Sequence, residues 1–147
     1  MKTINIKVPN GIQYISEWGE YKLPKNQHCI VNKGVTGCGY TEYCLTNSDN
    51  VILCSPRKLL LENKRDQHKN DPNILYLENG VIDFNSSKNM KSKVLDHWSN
   101  CQGPYGGKPC KIMVTYDSCH YVVEFLKEMG LLGEFIFVVD EFQSIFF

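Results

Sequence analysis

Two stretches of this chain carry residue types whose spacing suits chemistry on phosphates. The first is Gly34-Val35-Thr36-Gly37-Cys38-Gly39-Tyr40-Thr41. Glycines tolerate backbone dihedrals that other residues avoid, so successive amide groups can converge on an anion at the start of a following helix. In the usual loop of this kind a lysine reaches the outer phosphates and the next Ser or Thr holds magnesium. Here Tyr40 occupies the lysine position while Thr41 keeps the metal-binding hydroxyl. Phosphate binding is therefore better supported than hydrolysis. Lys33, just before the loop, is either a cation that swings toward the phosphates or a surface residue at a strand end.

The second stretch is Phe135-Ile136-Phe137-Val138-Val139-Asp140-Glu141, an apolar strand delivering two carboxylates at its carboxyl end. In an open α/β sheet that end faces the ligand crevice. Asp140 is then positioned to bind magnesium, directly or through water, and Glu141 to polarise a water for attack on a γ-phosphate. Alone, the pair reads more readily as a buried strand ending in two solvated acids; the upstream loop reverses that preference.

Between these lie Ser55-Pro56-Arg57-Lys58 and Thr115-Tyr116-Asp117-Ser118, each at the end of an apolar run. Arg57, Lys58, Lys64, Arg65 and Lys69 cluster on and around one helix, where they either contact nucleic-acid phosphates or form a solvated face. The Thr115 and Ser118 hydroxyls either donate to a ligand or cap the helix that follows.

The elements that must position these residues alternate. Short β-branched runs at Cys29–Val31, Asn50–Cys54, Ile74–Leu77, Lys111–Tyr116 and Phe135–Val139 predict buried parallel strands. Helical patterns fill the gaps at Thr41–Thr46, Pro56–Lys69 with a first-turn proline, Lys88–Asn100, and Ser118–Met129 before Gly130. The fold class is α/β, a mainly parallel sheet flanked by helices. Residues 1–28 read as an N-terminal extension, with an edge strand over Thr3–Val8, a turn at Pro9-Asn10-Gly11 and a helical turn over Ile12–Trp18. Residues 29–147 read as the main domain. The glycine- and proline-dense stretch Cys101–Cys110 reads as a loop. The apolar ending Ser144-Ile145-Phe146-Phe147 suits a domain that continues past it or packs on a partner.

Composition bounds the rest. The 147 residues are 42% hydrophobic and 22% charged, ordinary for a globular domain. Lys plus Arg and Asp plus Glu stand at 16 each, so nucleic-acid binding must come from a local patch rather than a global field. No stretch has the length of a membrane span and no secretory leader opens the chain, so a cytoplasmic protein is expected. The seven cysteines are odd in number and sit mostly in apolar runs, which suits reduced, buried thiols. A zinc site from Cys101, Cys110 and Cys119-His120 is disfavoured because no close Cys pair opens it.

Taken together, the four elements resemble the first RecA-like domain of superfamily two DExx-box helicases and related translocases. Gly34–Thr41 is similar to the Walker A loop, Ser55-Pro56-Arg57-Lys58 to the nucleic-acid-contacting segment after the second strand, Thr115-Tyr116-Asp117-Ser118 to the Thr-Tyr-x-Ser element, and Val139-Asp140-Glu141-Phe142 to Walker B. The resemblance covers roughly Cys29 to Phe142, which makes residues 29–147 a partial P-loop domain cut off after the Walker B strand. It implies ATP and magnesium as cofactors and DNA or RNA as partner. Gly34, Thr36, Gly37, Cys38, Gly39, Tyr40, Thr41 and Lys33 would surround the nucleotide, with Thr41 and Asp140 on magnesium. Glu141 would serve in catalysis, and Arg57, Lys58 and Thr115 on the nucleic acid. A second RecA-like domain or partner protein is expected to complete the site, supplying the arginine that the family uses to close it. The loop's style also resembles proteins of phages and mobile elements, which would place it in a host cytoplasm. The competing expectation is a catalytically inactive RecA-like scaffold that binds protein or nucleic acid.

Overall fold

A computed structural model describes residues 6–24, 39–77 and 87–140, with the side chains of 87–89 excepted. The chain divides into two compact units, Met1–Asn47 and Ser48–Phe147.

In the first unit the expected turn forms at Pro9-Asn10-Gly11. The Ile12 amide donates to the Pro9 carbonyl at 3.3 Å, and Gly11 takes φ 90°, a conformation open to glycine. A single 3-10 turn, Ile15–Glu17, follows where a helical turn is expected, and the Glu17 carboxylate accepts from the Gln13 amide at 3.2 Å. The edge strand is not borne out over the described part of its span. Ile6, Lys7 and Val8 join no strand, and the Ile6 and Val8 side chains are exposed, Ile6 by 60%. Helix α1, Tyr40–Thr46, begins after Gly39, whose φ of 75° lets the chain turn into the helix. The expected strand at Cys29–Val31 lies outside the described residues.

The second unit contains the sheet. Strands β1 (Val51–Ser55), β2 (Ile74–Tyr76), β3 (Lys111–Thr115) and β4 (Ile136–Val139) pair in the order β2-β3-β1-β4, every pair parallel. Helices α2 (Lys58–Gln67), α3 (Ser87–Gln102) and α4 (Tyr116–Glu128) connect them. The central strands β1 and β3 are buried at every position, which is why both read as continuous apolar runs rather than alternating ones. Ile52, Ile112 and Val114 face one way and pack with Met90 and Val94 of α3 and Val122, Phe125 and Leu126 of α4. Residues of the opposite parity, Leu53, Met113 and Tyr76, share a register row on the other face, where α2 packs and buries Leu61 completely.

The rim where the strands begin is held by side-chain amides. Asn50 accepts the Cys110 amide at 2.8 Å through Oδ1 and donates to the Glu134 carbonyl at 3.1 Å through Nδ2, and Asn73 donates to the Pro109 carbonyl at 2.9 Å. Lys111 is fully buried and its ammonium donates to the Asp49 carbonyl.

Three local expectations are corrected. Pro56 is not a first-turn proline: α2 starts at Lys58, because the Ser55 hydroxyl accepts the Arg57 amide at 3.2 Å and turns the chain before the helix opens. Tyr116 is not the last strand residue but the first of α4, from where its hydroxyl donates to the Asp140 carbonyl. Helix α3 runs to Gln102, so Cys101 is helical and the loop begins at Gly103. No described helix is long and apolar enough to cross a membrane.

Candidate functional site

Because the sheet is parallel, the segments leaving β1, β3 and β4 emerge at one rim. Ser55 is the register partner of Thr115, and Cys54 that of both Val114 and Val139. The Asp140 amide donates to the Cys54 carbonyl at 2.8 Å, carrying the β1–β4 ladder one residue past the end of β4. Tyr116 then anchors the Asp140 carbonyl from α4. Three segments singled out from sequence, Ser55 to Lys58, Thr115 to Ser118 and the strand ending at Asp140, thus meet at one edge of one sheet. The Asp140 side chain is half-buried there, while Ser55 and Thr115 are buried.

The basic residues do not all share that edge. Arg57 and Lys58 sit where α2 begins, both exposed, and Lys58 lies 3.9 Å from Glu62 one turn on. A ten-residue helix spans about 15 Å, so Lys64, Arg65 and Lys69 are carried toward the opposite rim. Arg65 is occupied there, its guanidinium 5.7 Å from the Tyr76 ring centroid and its Nε 3.2 Å from Asp66. The five cations therefore form a rim pair and a distal group. Thr115 occupies the N-cap position of α4, but its side chain makes no capping bond, so capping does not account for its hydroxyl.

Of the glycine-rich loop, Gly39, Tyr40 and Thr41 are described; Lys33, Gly34, Thr36, Gly37 and Cys38 lie outside the described residues, as does Glu141. Tyr40 is held in an aromatic group of the first unit. Its hydroxyl lies 2.6 Å from that of Tyr21, and the Tyr21 ring meets Tyr40 and Tyr43 edge-on at 5.9 and 5.2 Å. Tyr43 donates to the Tyr21 carbonyl at 2.8 Å, and Trp18 stacks at a tilt on Tyr21 at 5.8 Å. Thr41 is half-buried in the first turn of α1.

The cysteines Cys44, Cys54, Cys101, Cys110 and Cys119 are free thiols, and all but Cys119 are buried. Cys101, Cys110 and Cys119-His120, weighed from sequence as a zinc set, are not brought together as one group. Cys119 neighbours Cys54, whose thiol is pushed up by burial first and by Cys119 second, and His120 is exposed with its ring 4.0 Å from that of Tyr121. Cys101 and Cys110, however, do come together, with His97 as third member. Sequence reasoning missed His97. The signal was its spacing to Cys101, four residues along one helix, which places both on one face.

No family model matches the chain, and searches of curated proteins and of solved structures found no match either.

Proposed function

We propose that this chain is a helicase-like P-loop domain of degenerate type, binding ATP with magnesium and serving a nucleic-acid-dependent ATPase or translocase. In this reading the amides of Gly34 to Thr41 hold phosphates, with Lys33 alongside. Thr41 and Asp140 hold magnesium, Glu141 orients water, and Arg57, Lys58 and Thr115 contact a DNA or RNA strand. The observation that carries the reading is the common rim of Ser55, Thr115 and Asp140 on an all-parallel sheet. Ligand chemistry in open α/β sheets gathers at that end of the strands.

A second reading has its own observation. The Tyr40 hydroxyl is bonded to Tyr21, and a phenol tied into an aromatic group supplies no positive charge to a phosphate in transfer. This favours a RecA-like scaffold that binds protein or nucleic acid without hydrolysis.

Thermal melting with and without ATP and magnesium separates the two, since a ligand that binds only the folded state raises the midpoint. The first reading expects a magnesium-dependent rise that Asp140→Asn removes, and ATP turnover gained by Tyr40→Lys and lost again on adding Glu141→Gln. A midpoint indifferent to nucleotide in both the parent chain and Tyr40→Lys overturns it and leaves the scaffold.

A further inference from the structure

The buried cluster of His97, Cys101 and Cys110 is used by neither reading. Helix periodicity stacks His97 over Cys101 on the inner face of α3. Cys110 arrives from the loop that follows and is pinned ahead of β3 by the bond from its amide to Asn50. All three residues are buried, Cys101 and Cys110 completely, and their candidate donor atoms lie within 4.8 Å of one another. His97 Nε2 is 3.8 Å from Cys101 Sγ. A tetrahedral zinc ion, with bonds of about 2.3 Å to sulfur and 2.0 Å to nitrogen, sets its donor atoms about 3.3–3.8 Å apart. Closing the cluster onto an ion thus takes a contraction of at most about 1.5 Å.

We propose that His97, Cys101 and Cys110 bind one zinc ion, clipping the end of α3 to the start of β3 and leaving the fourth position to one enclosed water. Charge selects the ion. Two thiolates and a neutral imidazole around a divalent cation sum to zero, the total that a buried site tolerates at least cost. Donor softness excludes magnesium and calcium, which take oxygen ligands.

The surroundings suit the ligand states required. His97 Nε2 sits 3.0 Å from both the Asn73 and the Lys111 carbonyl and donates to them when no ion is bound; taking an ion on Nε2 moves that proton to Nδ1 and leaves the ring neutral, the form in which histidine ligates metals. When the imidazole turns a nitrogen to the ion, the Asn73 carbonyl still accepts the Lys111 amide at 3.0 Å. Burial raises both thiols and lowers His97, so without an ion all three are neutral. An entering Zn²⁺ displaces one proton from each thiol to solvent and forms two metal–sulfur bonds, with no change in oxidation state.

Cobalt(II) is the probe, because thiolate coordination gives it a near-ultraviolet charge-transfer band and tetrahedral geometry gives it strong visible bands. The full chain, refolded with cobalt to allow entry to the closed site, is expected to take up one equivalent with both signatures, displaced by one equivalent of zinc. Cys110→Ser and His97→Gln should weaken binding by at least about tenfold, whereas Cys119→Ser and Cys44→Ser should leave it unchanged. The amide introduced by His97→Gln keeps a donor for the two carbonyls, and circular dichroism checks that this variant folds. As a measurement free of substitutions, zinc should protect Cys101 and Cys110 from alkylation in mild denaturant. Absence of the charge-transfer band at one equivalent overturns the proposal. So does undiminished cobalt binding by folded His97→Gln and Cys110→Ser together with no zinc protection of Cys101 and Cys110, which would place the ion on other thiols.

Discussion

The hydroxyl oxygens of Tyr21 and Tyr40 stand 2.6 Å apart, so the residue in the lysine position of the glycine-rich loop has its polar end directed to another phenol. One hydrogen bond joins them, and each variant Tyr21→Phe and Tyr40→Phe removes it while leaving the edge-on ring contact at 5.9 Å. Each should cost about 0.5–1.5 kcal/mol in urea denaturation. The double variant should cost little more than either single one, because both delete the same bond. Strictly additive losses would show that the two hydroxyls do not depend on each other.

Gly39 takes φ 75° immediately before α1, and a Cβ there would also touch the Tyr14 ring and Cβ at 3.4 Å. Gly39→Ala should therefore destabilise by about 1–2 kcal/mol, the cost of a left-handed L-residue. Gly19 has an ordinary φ and open space around it, so Gly19→Ala should move the melting midpoint little. Equal shifts would refute the backbone origin of the effect.

The run Leu59-Leu60-Leu61 gives no hint from composition of which leucine is inside. The structure buries Leu61 completely and leaves Leu59 68% exposed. Leu61→Ala should cost about 2–5 kcal/mol and Leu59→Ala no more than about 0.5 kcal/mol, read from denaturant midpoints. Reversed magnitudes would mean that α2 is rotated on the sheet.

Cys54 gives a pH dependence with a definite sign. Burial, aided by the neighbouring Cys119 thiol, holds it protonated well above its ordinary value of 9.0, whereas unfolding lets it ionise near that value. Its contribution to stability is complete below pH 9.0 and is lost as pH rises from there toward the folded-state value. The slope is at most about 1.4 kcal/mol per pH unit. Cys54→Ala removes this slope, so its deficit relative to the parent chain should shrink on going from neutral to alkaline buffer. A deficit that stays constant with pH would contradict the assignment.

Much of the sheet was legible because a buried parallel strand leaves a plain trace. Val51–Ser55, Lys111–Thr115 and Ile136–Val139 are short, β-branched and flanked by helical patterns. The misreadings arise where tertiary bonds override local preference. The Ser55 hydroxyl moves the start of α2 past Pro56, and the bond from Tyr116 to the Asp140 carbonyl accompanies a helix that begins on the last residue of the expected strand. Lys111 opens the expected strand Lys111–Tyr116, but nothing in that run tells that its ammonium is spent on the Asp49 carbonyl inside. For the candidate site, periodicity yields the strand ends but no lateral order. That Asp140 docks on Cys54 follows from β4 pairing with β1, a contact with no local sequence signal.

The strand order also governs how the unit comes together. Among the described residues β1 has no sheet partner near it in sequence: Val51 waits for Lys111 on one side and Ile136 on the other, while β2, the next strand along, attaches through β3. Such distant pairings make for slow, late acquisition of structure. During synthesis the hydrophobic segment 51–55 must emerge and remain without its ladder until the chain has grown past β3.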